Sequence, residues 1–243
     1  MNNNIILITG ASSDIGIELI KSLKEKCLII AHYYTNKTKL VEIQKRIKNK
    51  IYTVQADFSS QKSVIRMLDK IETEIGIPNK IVHLASPKTK NLRFKDDNWQ
   101  NLISHLNFSL GSITTILNKF LPMMAQNKYG KVVTMLSSYT IGVPPKAMSQ
   151  YVTVKYALLG LMKSLASEYA SKNININSIS PSMINTQFLS EINERIIEIN
   201  AESHPLKRIA EVSDVVPSIL LLLSSKSDYI NGINLPITGG DNF

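Results

Sequence analysis

The fold of this chain is decided near its start by the stretch IILITGASSDIG, residues 5–16. The β-favouring run 5–9 predicts a buried strand, Gly10 predicts a tight turn, and a helical pattern begins near Ile15. A glycine in such a turn lets the backbone approach a phosphate, and the amino end of the helix adds free N–H donors and the positive end of its dipole. This order of strand, glycine turn and helix indicates a nucleotide site, although an ordinary turn between strand and helix has the same outline.

The same alternation of short apolar runs and longer helical patterns continues along the chain. Strands are predicted at 5–9, 28–33, 51–55, 80–85, 131–136, 174–179 and 233–237, and helices near 15–26, 38–49, 61–75, 97–126, 150–172 and 212–223. Strands that alternate with helices imply right-handed crossovers and a parallel sheet. We therefore predict an α/β fold, a doubly wound, seven-stranded parallel sheet with helices on both faces.

The length of 243 residues, with 44% hydrophobic residues, fits one large α/β domain. Because no proline- or glycine-rich linker, repeat or low-complexity tract divides the chain, we predict a single domain over 1–243. The segment 182–210 is helical in pattern and lies between the last two predicted strands. It is expected to be either a lid over a site at the carboxyl ends of the strands or a packed surface helix.

Composition argues against several classes of protein. Cys27 is the only cysteine, so no internal disulfide can form and a reducing compartment is expected. No apolar run approaches the ~20 residues needed to cross a bilayer, and the start of the chain lacks a signal-peptide pattern. The net charge of +9 comes from scattered lysines without a dense basic block, which argues against nucleic acid. We expect a cytoplasmic protein that binds neither membranes nor nucleic acids.

A tyrosine and a lysine four residues apart, Tyr151 and Lys155, indicate proton chemistry. On a helix they lie on one face, where the phenol and the ammonium can share a site. A free tyrosine ionises near pH ~10, and a neighbouring cation is expected to favour the phenolate and lower that pKa. Such a group can pass a proton to or from a carbonyl oxygen. A solvated helix face explains the same pair equally well, so its weight depends on the motifs around it.

Taken together, these motifs resemble those of the short-chain dehydrogenase/reductase family. The family's glycine pattern TGxxxGxG is matched at Gly10 and Gly16, whereas its middle glycine is Asp14 here. A carboxylate would repel a pyrophosphate that it met directly, so we expect Asp14 to turn along the helix start as an N-cap residue does. The resemblance covers nearly the whole chain and implies a Rossmann-type fold and an NAD(P)-dependent oxidoreductase acting on CH–OH donors.

The resemblance also implies a set of catalytic residues. Ser137 would stabilise the substrate oxygen, Tyr151 would donate or accept the proton, and Lys155 would favour the phenolate and bind the nicotinamide ribose. Counting along the preceding strand places the catalytic serine at Ser137, whereas counting back from Tyr151 gives Ser138, and the tighter strand register favours Ser137. Asn107 matches the asparagine whose helix distortion holds a water in the proton relay.

A further set of residues is implied to hold the cofactor. Asp57 matches the acidic residue on the adenine amine, and Ile184 and Thr186 would face the nicotinamide carboxamide. His83 and Ser182 stand where the family has an asparagine and a glycine, so the hydrogen bonds of that asparagine are in question. The full set is Gly10, Ser12, Ser13, Asp14, Ile15, Gly16, Thr35, Asp57, Phe58, Ala85, Tyr151, Lys155, Pro181, Ile184 and Thr186.

The end of the second predicted strand bears on the choice of cofactor. An acidic residue there would bind the ribose hydroxyls and repel a 2′-phosphate. The chain instead has Thr35, Asn36 and Lys37, which can bind a phosphate. We predict NADP(H), with NAD(H) as the alternative.

Within the family, the 3-oxoacyl-carrier-protein reductases of fatty acid biosynthesis are the best general match. Lys128 and Lys172 fall where basic residues of that group can face an acidic carrier protein, although chance explains two surface lysines equally well. The alternatives are a reductase of another ketone, a sugar or a polyol, and a cofactor-binding protein without turnover. The long helices near 97–126 and 150–172 resemble the pair through which this family forms homotetramers, which we therefore expect.

Overall fold

The computed structural model describes residues 4–88 and 91–241. Seven parallel strands form one sheet in the spatial order β3-β2-β1-β4-β5-β6-β7. The strands are β1 Ile5–Thr9, β2 Leu28–Tyr33, β3 Lys50–Gln55, β4 Lys80–His83, β5 Gly130–Met135, β6 Ile174–Pro181 and β7 Asn234–Ile237. The predicted seven-stranded, doubly wound parallel sheet is therefore confirmed.

The α-helices of the described residues lie between these strands on both faces of the sheet. They are α1 Asp14–Ser22, α2 Thr38–Gln44, α3 Gln61–Lys70, α4 Trp99–Leu106, α5 Ser112–Gln126, α6 Ser149–Tyr169, α7 Glu194–Ser203 and α8 Val212–Leu223. None of them is long and apolar enough to cross a membrane.

The sheet is buried between two apolar layers. Buried side chains of α3, α5 and α6 form one layer, and those of α1, α2 and α8 form the other. Every residue of β1 and of β6 is buried, which explains why the first strand is a continuous apolar run rather than an alternating one. In the more polar β6 the buried amides find partners, since Asn177 Nδ2 donates to the carbonyl of Ile230 at 2.9 Å.

The predicted helix 38–49 ends early, at Gln44, because side-chain amides take over the backbone bonds beyond it. Gln44 Oε1 accepts from the amide of Ile51 at 2.6 Å, and Asn49 Nδ2 donates to the carbonyl of Leu23 at 3.0 Å. These bonds turn the chain directly into β3.

Two other predicted helices are interrupted by π-helical turns. The helix expected at 61–75 changes to a π turn at Ile71–Ile75, and the one expected at 97–126 contains a π turn at Asn107–Gly111 that separates α4 from α5. A π turn adds a residue without breaking the hydrophobic period clearly, so periodicity alone does not reveal it.

A crevice opens where the strand order reverses, between β1 and β4. The chain leaves β1 towards β2 and β3 on one side and returns to β4 on the other, so the loops after β1 and β4 diverge. At this point Gly10 has φ +64°, and a Cβ atom on it would lie 2.9 Å from the amide nitrogen of Ala85. A Cβ atom on Gly16 would lie 2.5 Å from the carbonyl oxygen of Ala11. Both matched glycines are therefore fixed by contact with neighbouring backbone.

We expect the substitution Gly16→Ala to lower the free energy of unfolding by about 2 kcal/mol, the usual cost of forcing a methyl group into a filled space. The matched control is Gly160→Ala in α6, where a Cβ atom would meet nothing within 4 Å. Because alanine is the better helix former, this control should be neutral or stabilising by up to about 1 kcal/mol. Urea denaturation of both variants measures the difference, and equal midpoints would contradict the argument.

Candidate active site

A cavity of about 640 Å³ lies at the carboxyl ends of the strands. The start of α1, the end of β5, the start of α6 and the segment 182–210 surround it. Its lining includes Ser13, Asp14, Ile15, Ser137, Ser138, Tyr139, Met148, Tyr151, Lys155, Pro181, Ile184, Thr186, Gln187, Phe188 and Ile196. Motifs far apart in the sequence thus meet in one space.

The residues Ser137 and Tyr151 lie together at this cavity. Ser137 follows β5 directly and caps a 3₁₀ turn at Ser138–Thr140, its hydroxyl accepting from the amide of Tyr139 at 3.3 Å. Tyr151 lies in the first turn of α6, and the Ser137 side chain beside its phenol opposes the rise in its pKa. Ser138 also lines the cavity and is buried, so the choice of Ser137 over Ser138 stays a prediction.

Lys155 lies one helical turn beyond Tyr151 on the same face of α6, as the spacing predicts. Its ammonium is 5.4 Å from the centre of the Tyr151 ring and donates a hydrogen bond to the carbonyl of Met135 at 3.0 Å. Only 5% of Lys155 is exposed. The carbonyl at the end of β5 therefore holds the amine beside the phenol.

Burial dominates the protonation of both groups. It raises the pKa of Tyr151 to about 12, against the opposing hydrogen bond from Ser137 and together with the nearby Tyr139 ring, which packs edge-on at 6.1 Å. Burial lowers the pKa of Lys155 to about 8. The pKa of Tyr151 is therefore raised overall, rather than lowered as the sequence predicts, because removal of the phenol from water is the largest cause.

The expected role of Asn107 is not supported by its position. Asn107 begins a π turn, so a distortion of the helix does occur there. Its side chain is exposed, however, and it does not line the cavity. The buried polar residue of that turn is Ser109, at 3% exposure. The sequence match identified the distorted turn but selected a residue on its outer side.

The glycine turn is capped differently from expectation. Ser13, not Asp14, is the N-cap of α1, and its hydroxyl accepts from the amide of Gly16 at 3.2 Å. Asp14 turns away from the helix axis and accepts from the Lys39 ammonium at 2.7 Å and from the Gln187 amide at 2.8 Å. Burial would raise its pKa, but these two donors outweigh burial and lower it. The carboxylate is therefore charged and neutralised by Lys39.

Other residues expected to hold the cofactor lie along the crevice, outside the lining of the cavity. Asp57 follows β3, and its carboxylate accepts from the amide and hydroxyl of Ser59 at 2.9 and 2.7 Å. Thr35 is exposed just beyond β2. Phe58 is buried and stacks on the His32 ring at 4.1 Å between centres, so its side chain is part of the core. Ser12 lies half-buried in the glycine turn.

His83, which stands where the family has an asparagine, is buried at the end of β4. Its Nδ1 pairs with the Thr9 hydroxyl at 2.9 Å, which joins the ends of β1 and β4. Burial lowers the pKa of His83 to about 3, with smaller contributions from Lys155 and His32, so the ring is neutral. Its Nε2 is buried and has no hydrogen-bond partner.

The loop after β6 completes the cavity. Ile184 pairs with Ala210 in an isolated β-bridge, and the Thr186 hydroxyl donates to the carbonyl of Ile184 at 3.3 Å. Ser182, which stands in place of the family glycine, lines the cavity, and its hydroxyl oxygen is buried without a hydrogen-bond partner. Ser182, Ile184 and Thr186 line the same cavity as Tyr151 and Lys155.

The residues present fit a nicotinamide dinucleotide. The first turn of α1 supplies amide donors for a phosphate, and the Ser182 hydroxyl offers an unpartnered polar atom in the cavity lining. The lining runs from Ser13, beside the glycine turn, to Tyr151 and Lys155, so one space includes candidate residues for the phosphates and for the reacting ring.

A family model described as "Enoyl-(Acyl carrier protein) reductase" matches residues 10–242. The chain belongs to the short-chain dehydrogenase/reductase family. The 3-oxoacyl-[acyl-carrier-protein] reductase of Staphylococcus epidermidis is 28% identical over 98% of both chains. Among solved structures, 4-hydroxyisoleucine dehydrogenase complexed with NADH has a TM-score of 0.87 at 26% identity, over 98% of both chains. Levodione reductase shares the fold, with a TM-score of 0.90 at 22% identity, over 98% of this chain and 96% of the other.

As a member of this family, the chain is an NAD(P)-dependent oxidoreductase, and a nicotinamide nucleotide is its cofactor. The sequence analysis missed three contributors to the site: the Met135 carbonyl, the Tyr139 ring and Lys39. Tyr139 could have been found from its place beside the serines. The other two depend on how loops and strand ends come together, which spacing does not record.

We predict that Tyr151 stays protonated from neutral pH to about pH 10 in the protein without nucleotide, because burial raises its pKa to about 12. The ultraviolet absorbance of phenolate, compared between the wild type and Tyr151→Phe, measures this ionisation. The two titrations should coincide over that range. An additional phenolate in the wild type near pH 8 would show that Lys155 controls the phenol after all.

Proposed function

We propose that this enzyme uses NADP(H) to reduce the ketone of a 3-oxoacyl thioester to a hydroxyl. The observation that carries the proposal is the position of Tyr151 and Ser137 in a cavity whose opposite wall is apolar. That wall comes from the segment 182–210 and includes Met183, Phe188, Leu189, Ile192 and Ile196. A ketone held at the hydroxyls would place an attached acyl chain against these side chains. The Staphylococcus epidermidis relative named above, a 3-oxoacyl-[acyl-carrier-protein] reductase, supports the same substrate class.

In this proposal the chain's own residues bind the ketone and move one proton. Ser137 donates a hydrogen bond to the carbonyl oxygen, and Tyr151 donates the proton that the oxygen gains. Lys155, as ammonium, stabilises the phenolate that remains on Tyr151. The bound nicotinamide supplies the hydride that the carbonyl carbon gains. Asn107, which is exposed, has no part in this scheme.

The preference for NADP(H) rests on the residues after β2. Thr35, Asn36 and Lys37 are exposed there, and none of them carries a negative charge that would repel a 2′-phosphate. Lys39 lies close by but is already paired with Asp14 at 2.7 Å. We therefore propose that Thr35 and Lys37 bind the 2′-phosphate of NADP(H). The solved structure of 4-hydroxyisoleucine dehydrogenase, complexed with NADH, makes NAD(H) the alternative.

Docking of a carrier protein would involve more than one subunit. Lys128 and Lys172 are both exposed, and Asn173 Nδ2 bonds the Lys128 carbonyl at 3.0 Å, which brings the two positions together. They precede β5 and β6, whereas the cavity lies at the other end of these strands, about 25 Å away by the length of an eight-residue strand. A carrier on this pair would serve the cavity of a neighbouring subunit, which agrees with a proposed homotetramer.

The helices proposed for that assembly present both core and surface side chains. Leu158 and Met162 of α6 are buried in the core, while Leu161 and Leu165 are only partly buried. Tyr156 of the same helix is 46% exposed. This half-exposed apolar face supports assembly through α6. We place the assembly in the cytoplasm, as one domain per chain over 1–243.

A second candidate function is the reduction of a smaller ketone, a sugar or a polyol. Lys88, Asn91 and Asn193 give part of the cavity a polar lining that suits hydroxyl groups better than an acyl chain. A cofactor-binding protein without turnover is the weakest alternative, because the paired Ser137 and Tyr151 serve no purpose in a binder.

The substrate assay follows nicotinamide oxidation with 3-oxoacyl thioesters, simple ketones and keto-sugars. We expect the thioesters to give the highest kcat/KM, and NADPH to exceed NADH by about tenfold, the effect of one good phosphate contact. Tyr151→Phe should lose about 10²–10⁴-fold in kcat while NADPH still binds. Faster turnover of a sugar would contradict the proposed substrate. Equal rates with NADPH and NADH would contradict the proposed cofactor preference.

A second assay compares the same 3-oxoacyl thioester when it is attached to a carrier protein and when it is attached to a small thiol. Replacing both Lys128 and Lys172 by alanine should raise KM only for the carrier-bound form, and high salt should have the same effect on the wild type. Lys163→Ala, an exposed lysine on α6, is the matched control.

The pH profile of reduction tests the role of Lys155. Its lowered pKa of about 8 means that the amine is charged below that pH and neutral above it. The phenolate left on Tyr151 loses its stabilising charge as pH rises, so kcat should fall through about pH 8. In Lys155→Arg the fall should move to higher pH, since a guanidinium stays charged. A wild-type rate that is flat to pH 10 would contradict this role.

A further inference from the structure

The family's middle glycine is replaced here by a charged residue that reaches across the mouth of the cavity. Asp14 Oδ1 accepts from the Lys39 ammonium at 2.7 Å, and Asp14 Oδ2 accepts from the backbone amide of Gln187 at 2.8 Å. Lys39 also donates to Gln187 Oε1 at 3.1 Å. Three separate parts of the chain, the glycine turn, α2 and the segment 182–210, therefore meet at one carboxylate.

We propose that Asp14, Lys39 and Gln187 form a latch that closes the segment 182–210 over the nicotinamide cofactor and slows its release. The inference rests on the proposed role of this segment as a lid. Asp14 and Gln187 both line the cavity, so the bond between them is part of its rim. Asp14 thus acts as a positioning residue for the cofactor.

The other attachments of the segment lie at its two ends. At its base the Ala210 amide donates to the Met183 carbonyl at 2.9 Å, and the Asn185 amide donates to the Ala210 carbonyl at 2.8 Å. Near its far end His204 Nε2 bonds the Thr238 carbonyl at 2.8 Å. The latch differs because it joins the segment to the glycine turn, on the opposite side of the crevice.

Between the latch and His204, Leu189 is buried, but helix α7 is loosely held. Helix α7 has no buried residue, and Ile196 and Ile199 on it are 41% and 49% exposed. Few apolar contacts therefore oppose its displacement, which is typical of regions that open locally. Breaking the bond at Gln187 would release this part while the β-bridge of Ile184 and Ala210 keeps its base in place.

The ion pair of the latch is partly exposed to solvent, so it can open as well as form. The side chains of Lys39 and Asp14 are 40% and 28% exposed, so water and salt reach the ion pair. The lowered pKa of Asp14 keeps the carboxylate charged at neutral pH. Lys39 also removes the repulsion that an isolated carboxylate would exert on a phosphate in the glycine turn. The ion pair with Lys39 thus offsets the negative charge that replaces the glycine. Asp14 and Lys39 also bond Gln187, a contact that a glycine side chain could not make.

The test uses Asp14→Gly, which restores the family residue, and Lys39→Met, which removes the cation. The matched control is Glu18→Gln, which removes a carboxylate of the same helix that is paired only with Lys21 at 3.4 Å, on the surface. Hydrogen exchange of residues 186–203 without nucleotide reports closure directly. The dissociation rate of NADPH, measured by displacement in stopped flow, reports release.

We expect faster exchange at Gln187 and throughout α7 in both variants, and dissociation of NADPH that is about five- to tenfold faster, with no change in Glu18→Gln. Raising salt from about 0.1 M to about 1 M should accelerate dissociation more in the wild type than in Asp14→Gly, which has no ion pair of the latch left to screen. Unchanged exchange, or slower release in Asp14→Gly, would overturn the latch, the latter by showing that the carboxylate only repels the cofactor. The exchange measurement needs neither substrate nor turnover, so a wrong substrate assignment would not affect it.

Discussion

The structure depends on one close approach of backbone to backbone, at the reversal of strand order. The Gly10 turn lies against the backbone of Ala85, and the first turn of α1 lies against Ala11 at Gly16. A side chain at Gly10 would displace the backbone of Ala85, and one at Gly16 would displace the first turn of α1 from Ala11. Because this contact fixes where α1 begins, it also fixes where the amides for a phosphate lie. The proposed phosphate site therefore follows from backbone packing, and the candidate catalytic residues Tyr151 and Lys155 lie elsewhere in the same cavity.

At the end of the cavity near β5 and α6, burial changes the protonation of two polar side chains. Tyr151 and Lys155 both lie away from water, which disfavours the charged form of each: the phenolate of one and the ammonium of the other. In the proposed reaction the two charged forms occur together when the substrate takes the phenolic proton, and each then stabilises the other. The Met135 carbonyl and the Ser137 hydroxyl keep the pair in place without supplying a fixed charge. Burial thus prepares the site for a transient change of charge.

Sequence reasoning identified the strands, the sheet and the main motifs, since hydrophobic period and glycine spacing are local properties. It failed where tertiary contact decides the result. Within the π turn at Asn107–Gly111, the residue matched to the family, Asn107, is exposed, whereas Ser109 is buried. The pKa of Tyr151 depends on burial, which a four-residue spacing does not report. Asp14 was expected to cap its own helix, whereas its partners lie 25 and 173 residues further along the chain.

The residues after β7 are bonded to the segment 182–210, which forms one wall of the cavity. The carbonyl of Thr238 bonds His204, and Gly239 has φ +57° with its Cα so close to the His204 ring that a Cβ atom would lie 2.9 Å from it. Anything fused a few residues beyond this point would pull on the segment that covers the active site. Affinity tags for purification or immobilisation therefore belong at the amino end, where β1 begins in the interior of the sheet at a distance from that wall.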